Sequence, residues 1–133
     1  MKSLLKLCVH IFTWLLIGCP NVTRLDIDQF NSIQRGQISP TDVPAFVDCV
    51  MDGFSRLNLA LTTASSKQTK RTDGYRVETY SNNRLIVSAD VLNSGNVELF
   101  EQKAAHGLFD VWSTNGELTT FDRCLKKYQH DKS

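Results

Sequence analysis

His106 and Asp110 are the residues of this chain that come nearest to a catalytic pair. A carboxylate can orient a histidine so that the histidine acts as a general base. No Gly-x-Ser-x-Gly motif accompanies them, and a loop histidine exposed to solvent explains His106 better than a catalytic role does. The remaining histidines, His10 and His130, lie at the two ends of the chain and build no zinc ligand set. The sequence therefore predicts no catalytic residue, no metal site and no cofactor.

Three basic residues, Lys67, Lys70 and Arg71, stand close together in a polar stretch that is rich in hydroxyl groups. Such a stretch could bind an anionic partner such as phospholipid headgroups. The same pattern is also typical of a solvated strand edge that resists association between sheets. Both interpretations stay open for these three residues.

The N-terminus has the order of a secretory signal. Two lysines, Lys2 and Lys6, precede an apolar run over residues 7–17 that only His10 and Thr13 interrupt. The run is too short to span a bilayer as a stable helix. We therefore expect the chain to be exported.

Directly after the apolar run stands Leu16-Ile17-Gly18-Cys19. This segment resembles the lipobox of bacterial lipoproteins, and the resemblance covers only the first 20 residues or so. It implies that residues 1–18 are a signal peptide, that Cys19 receives a diacylglyceryl group and that Cys19 becomes the first mature residue. The alternative is an ordinary signal peptide cut nearby, in which case Asn21-Val22-Thr23 would be a glycosylation sequon of a eukaryotic secreted protein.

The count of cysteines agrees with the lipobox. Removal of the signal peptide discards Cys8 and leaves three cysteines, an odd number for an exported protein. If Cys19 carries lipid, Cys49 and Cys124 are left to pair as a disulfide. The alternative is that Cys49 and Cys124 are both buried and reduced.

Length and charge limit the remaining possibilities. The formal net charge of +1 includes Lys2 and Lys6, so the mature chain is close to neutral and is not expected to bind nucleic acid. Mixed polar residues suggest a tether over 19–39, part of which could dock on the fold. Residues 40–130 are long enough for one domain with one modest core.

The periodicity of the apolar residues predicts an α+β fold. Helical spacing begins at Thr41-Asp42 and returns near the C-terminus, whereas residues 74–80, 85–91, 97–102 and 108–112 read as strands. Turns are expected at Ser81-Asn82-Asn83 and over 93–96. We expect a small antiparallel meander of three to five strands, with an N-terminal and a C-terminal helix packed on one face.

These observations lead to three hypotheses for function. The first is a non-enzymatic lipoprotein of the bacterial cell envelope that faces the periplasm and binds an envelope protein or helps to maintain the envelope. The alternative is a toxin-immunity or phage-exclusion lipoprotein, and the third is a small hydrolase that uses His106. Pro20 leaves the choice between inner and outer membrane open, because it is neither the aspartate of inner-membrane retention nor the usual small polar residue.

Overall fold

The computed structural model describes residues 23–58, 64–106 and 114–129. Within these ranges it has five strands and two α-helices, together with short 3-10 turns at Ile27–Gln29, Pro40–Asp42 and Lys103–His106. In chain order the main elements are β1 (Phe30–Gln37), α1 (Val43–Asn58), β2 (Ala64–Lys70), β3 (Gly74–Ser81), β4 (Arg84–Leu92), β5 (Asn96–Gln102) and α2 (Asn115–Tyr128). The predicted α+β class is confirmed.

The five strands form one antiparallel sheet in the order β1-β5-β4-β3-β2. Strands β3, β4 and β5 match three of the predicted strands, and the two turns between them lie where the sequence places them. Strand β2 was not predicted: apart from Ala64 its residues are polar, so it lacks the alternation of apolar and polar residues by which strands are recognised. Asn82 and Asn83 adopt φ values of 49° and 62° in the β3–β4 turn, and Gly95 adopts a φ of 88° in the β4–β5 turn. A Cβ on Gly95 would lie 2.1 Å from the carbonyl oxygen of Ile38, so this turn requires glycine.

Strand β1 differs from the sequence-based expectation. Residues 30–37 fall inside the predicted tether, but they form the edge strand that pairs with β5. The register shifts between Ser32 and Gln34, and this irregularity places Ile33 against the core. The shift breaks the alternation of apolar and polar residues by which strands are recognised. The part of the predicted tether that docks on the fold is therefore the first strand of the sheet.

Both helices pack on the same face of the sheet, as expected. Helix α1 lies over β2 and β3, α2 lies over β1, and the two helices contact each other. The rings of Phe46 and Phe121 meet edge to face between the helices, with centroids 5.5 Å apart. The buried apolar side chains include Phe46, Val47, Val50 and Phe54 of α1, Val77, Val87, Ala89, Val91, Val97 and Leu99 of the sheet, and Phe121 and Leu125 of α2. Full burial of each valine, leucine or phenylalanine side chain in this set stabilises the fold by about 1.5 to 3 kcal/mol.

Gly53 of α1 packs against Thr120 of α2, where the two helices meet. Glycine inside a helix costs about 1 kcal/mol relative to alanine, which by sequence alone makes Gly53 a weakness of α1. A Cβ at this position would lie 2.2 Å from Cγ2 of Thr120. The glycine is therefore what allows α1 and α2 to pack against each other here.

Several sequence-based predictions lie outside the described residues. These include the strand over 108–112, the targeting segment 1–18 and the lipid attachment at Cys19. Within the described ranges, no helix combines the length and the apolar character that a membrane span requires.

Candidate functional site

A disulfide joins the two helices. Cys49 of α1 is bonded to Cys124 of α2, with their Cα atoms 6.0 Å apart. Cys124 is fully buried, whereas Cys49 is partly exposed. The predicted pairing of these two cysteines is confirmed, and the bond holds together the layer that covers the sheet.

A shallow groove runs over this bond between the two helices, with a volume of about 650 Å³. Both acidic and basic side chains line it, and the full set is Ala45, Asp48, Cys49, Asp52, Arg56, Arg123, Lys127 and Tyr128. Asp52 and Arg56 form an ion pair at 2.9 Å across one turn of α1. A mixed-charge groove with one aromatic wall suits a polar protein surface better than an apolar small molecule. We call this feature the helix groove.

The three basic residues singled out in the sequence are not gathered at one point. Side chains alternate along a strand, so Lys67 and Lys70 of β2 project from opposite faces of the sheet. Lys67 lies across from Glu78 in the β2–β3 register. Arg71 follows the strand and donates a hydrogen bond of 3.1 Å from Nη2 to Asp73. Arg71 thereby belongs to a different cluster, described next.

Three arginines surround one carboxylate on the face of the sheet opposite the helices. Arg76 donates from Nε and Nη2 to the two oxygens of Asp90, at 2.6 and 3.1 Å. Arg24 donates from Nη2 to Asp90 at 3.3 Å, and Nη1 of Arg71 lies 3.6 Å from it. We call these four residues the arginine cluster. Burial lowers the pKa of the Arg76 guanidinium, but the hydrogen bonds and charge of Asp90 outweigh this effect and raise it.

Of the four residues in the cluster, only Arg71 was identified from the sequence. Arg24 is the most deeply buried of the three arginines. Its guanidinium carbon lies 3.7 Å from the ring centre of Phe100 and 5.0 Å from that of Phe30, and only 6 % of its side chain is exposed. Burial lowers the pKa of Arg24, and the charge of Asp90 opposes this shift. Stacking on two rings combined with an ion pair holds the segment before β1 against the sheet. Arg24 and Asp90 are 66 positions apart in the sequence, so no pattern among neighbouring residues could have predicted their contact.

Buried carboxyl groups lie where β5 ends and α2 begins. Glu117 is 2 % exposed, and its Oε1 is buried without a hydrogen-bond partner among the described residues. Burial raises the pKa of Glu117, a hydrogen bond to its own backbone lowers it, and the charge of Glu101 raises it further. Glu101 accepts a hydrogen bond from the hydroxyl of Thr114. An enclosed Glu117 is suited to packing inside the domain, because a substrate would have to displace the side chains around it.

The predicted pair of His106 and Asp110 is not described. The backbone of His106 ends the 3-10 turn Lys103–His106, but its side chain and all of Asp110 lie outside the described residues. Their pairing stays a prediction. In the part of the chain that the structure describes, no group of three or more histidine, cysteine, aspartate or glutamate residues could hold a metal ion.

The helix groove and the arginine cluster lie on opposite sides of the sheet. The first is open and carries both signs of charge, whereas the second is largely buried and fixes the N-terminal segment. Comparison of the chain with protein-family models, with curated proteins and with solved structures gives no match.

Proposed function

We propose that this chain is an exported protein that lipid on Cys19 holds at a bacterial cell-envelope membrane, with its domain acting as a non-enzymatic binding or envelope-maintenance module. The observation that carries the proposal is the position of Leu16-Ile17-Gly18-Cys19 directly after a basic and then apolar N-terminus. A thiolate is the nucleophile that takes the lipid, and Gly18 leaves room around the bond to be cut.

The disulfide supports this assignment. It uses Cys49 and Cys124 and so leaves Cys19 as the one other cysteine of the mature chain. Disulfides persist in oxidising compartments such as the periplasm. Two or three acyl chains, at about 0.8 kcal/mol per buried methylene, would then give the lasting attachment that a single chain cannot.

The helix groove supports a binding role. It lies on the helix side of the sheet, whereas the N-terminal segment that leads to Cys19 is fixed on the other side through Arg24. The groove therefore lies on the side of the domain opposite Arg24. A partner protein of the envelope could reach the charged side chains along it, including Asp48 and Arg123.

Mass spectrometry of the protein purified from bacterial membranes without reducing agent tests the anchor. We expect a mature N-terminus at Cys19 that carries acyl mass, and a linked pair of peptides containing Cys49 and Cys124. A Cys19→Ser variant is the matched control and should retain its signal peptide and carry no lipid. An unmodified Cys19 thiol, or cleavage at another bond, would overturn the proposal.

The non-enzymatic role has a separate test. The purified protein should not hydrolyse cell-wall or ester substrates. Hydrolysis that disappears in a His106→Ala variant would contradict this part of the proposal and would favour the hydrolase hypothesis.

A further inference from the structure

Leu25 and Ile27 are the two large apolar side chains that the described part of the chain leaves mostly exposed. Leu25 is 89 % exposed and Ile27 is 70 % exposed. They lie just after Arg24, in the segment that leads into β1. Single exposed apolar residues need no explanation, but two so near each other in one short segment are a local apolar feature, and we call these two residues the apolar patch.

The place of this patch relative to Cys19 is limited by the length of the chain. Arg24 is fixed on the face of the sheet opposite the helices by Asp90, Phe100 and Phe30. Whatever conformation the intervening residues adopt, five residues span at most about 18 Å. A lipid on Cys19 therefore keeps Arg24, and the apolar patch beside it, within that distance of the membrane surface.

We propose that Leu25 and Ile27 insert into the membrane interface beside the lipid of Cys19, so that the sheet face opposite the helices lies toward the bilayer. The inference rests on the proposed lipidation, which supplies the proximity. Two aliphatic side chains alone bind a bilayer weakly, but an anchor already in place brings them to it at high effective concentration.

The charges around the patch indicate an apolar contact. Asp26 lies between the two aliphatic residues and Asp28 follows Ile27, and both would be repelled by anionic headgroups. The arginines on this side of the sheet are paired with carboxylates: Arg35 with Glu98 at 2.6 Å, and the three of the arginine cluster with Asp90 and Asp73. Among these described residues four arginines are matched by five carboxylates, so the contact should not depend on anionic lipid or on salt.

Quenching of tryptophan fluorescence by brominated lipid tests the inference on the full, membrane-purified protein. Two variants are reconstituted into phosphatidylcholine vesicles whose acyl chains carry bromine, and into unbrominated vesicles. Ile27→Trp places the probe in the patch, and Thr119→Trp places it at an exposed position of α2 on the other side of the domain. Each signal is compared with that of the unsubstituted protein, which contributes Trp112.

We expect the added signal of Ile27→Trp to fall about twofold in brominated vesicles, because interfacial side chains reach some 5 to 10 Å into the headgroup and acyl boundary. The signal of Thr119→Trp should not change. Adding Leu25→Asp to the Ile27→Trp variant should reduce the quenching, whereas Gln29→Asp, a charge at an exposed site of the same segment, should leave most of it. Thermal unfolding of each variant checks that the fold is kept.

Three results would overturn the inference, and they differ from one another. Acyl mass on Cys19 together with equal quenching at positions 27 and 119 removes the insertion but leaves the anchor. An unmodified Cys19 removes the proposed function and the inference with it. Quenching that requires phosphatidylglycerol in the vesicles and is lost in a Lys67→Gln, Lys70→Gln variant would replace apolar insertion with headgroup binding.

Discussion

The disulfide between Cys49 and Cys124 allows the sharpest prediction of stability. The bond closes a loop of 75 residues that contains β2 to β5 and joins α1 to α2. In the chain-entropy model, constraint of the unfolded chain by a loop of this length stabilises the fold by about 4.5 kcal/mol. A domain of this size has a total stability of about 5 to 15 kcal/mol, so loss of the bond would remove a large part of it.

The perturbation is a Cys49→Ala, Cys124→Ala double variant, compared with the parent protein in urea and in thermal unfolding. We expect the free energy of unfolding to fall by about 4 to 5 kcal/mol. The melting temperature should fall by about 20 °C, given the usual entropy of unfolding per residue. The double variant also loses the buried sulfur of Cys124. Reduction of the parent protein, which keeps both sulfur atoms, separates the effect of the cross-link from that of packing.

If reduction lowers the free energy of unfolding of the parent protein by less than about 1 kcal/mol, the cross-link does not stabilise the fold as proposed. Closure of a loop of this length should have a larger effect. If the reduced parent keeps its stability and the double variant loses it, the contribution comes from the packing of sulfur in the core rather than from the cross-link.

Further predictions concern single residues. A carboxyl whose pKa is raised on folding holds its proton more tightly in the folded state, so the parent protein should lose stability as the pH rises above about 4.3. Glu117→Gln should flatten this dependence of the free energy of unfolding on pH, and urea unfolding at several pH values that gives the same dependence in both proteins would contradict the prediction. Asp90→Asn should destabilise by about 3 kcal/mol in urea unfolding, because it leaves partly buried arginines without their carboxylate; a loss below about 1 kcal/mol would contradict the role of the arginine cluster. Gly53→Ala should destabilise by about 1 to 3 kcal/mol despite its better helix propensity, and a higher melting temperature would refute the packing argument. Arg56→Ala breaks an exposed ion pair and should change stability by less than about 0.5 kcal/mol in the same assay.

The helices and strands β3 to β5 could be predicted because their signals are local. The apolar stripe that begins at Val43 gives α1, and the Asn-rich turns at Asn82 and near Gly95 give two hairpins. These features depend on residues that are neighbours in the sequence, so spacing and turn chemistry are enough to find them.

The elements that were missed depend on distant contacts. Strand β1 has a register shift and few apolar residues, and it forms because its backbone pairs with the edge of β5. The residues around Arg24 do not distinguish it from the rest of the predicted tether, because its partner Asp90 lies 66 positions later in the sequence. For the candidate site, the sequence identified both disulfide cysteines but not the groove over them, because the groove exists only where two helices meet.

The strand order has a consequence for how the chain folds as it is made. Strand β1 is the first strand to be synthesised, but it pairs with β5. Arg35 of β1 can therefore bind Glu98 only after 63 more residues have been added. At about 5 to 20 residues per second the delay is about 3 to 13 s, which is long compared with most folding steps. During this time β1 has an unpaired edge, and its polar side chains, Asn31, Ser32, Arg35 and Gln37, keep that edge from associating with other chains. A growing chain of this kind stays incompletely folded until β5 is made, which is the condition in which an unfolded polypeptide can still be threaded across a membrane.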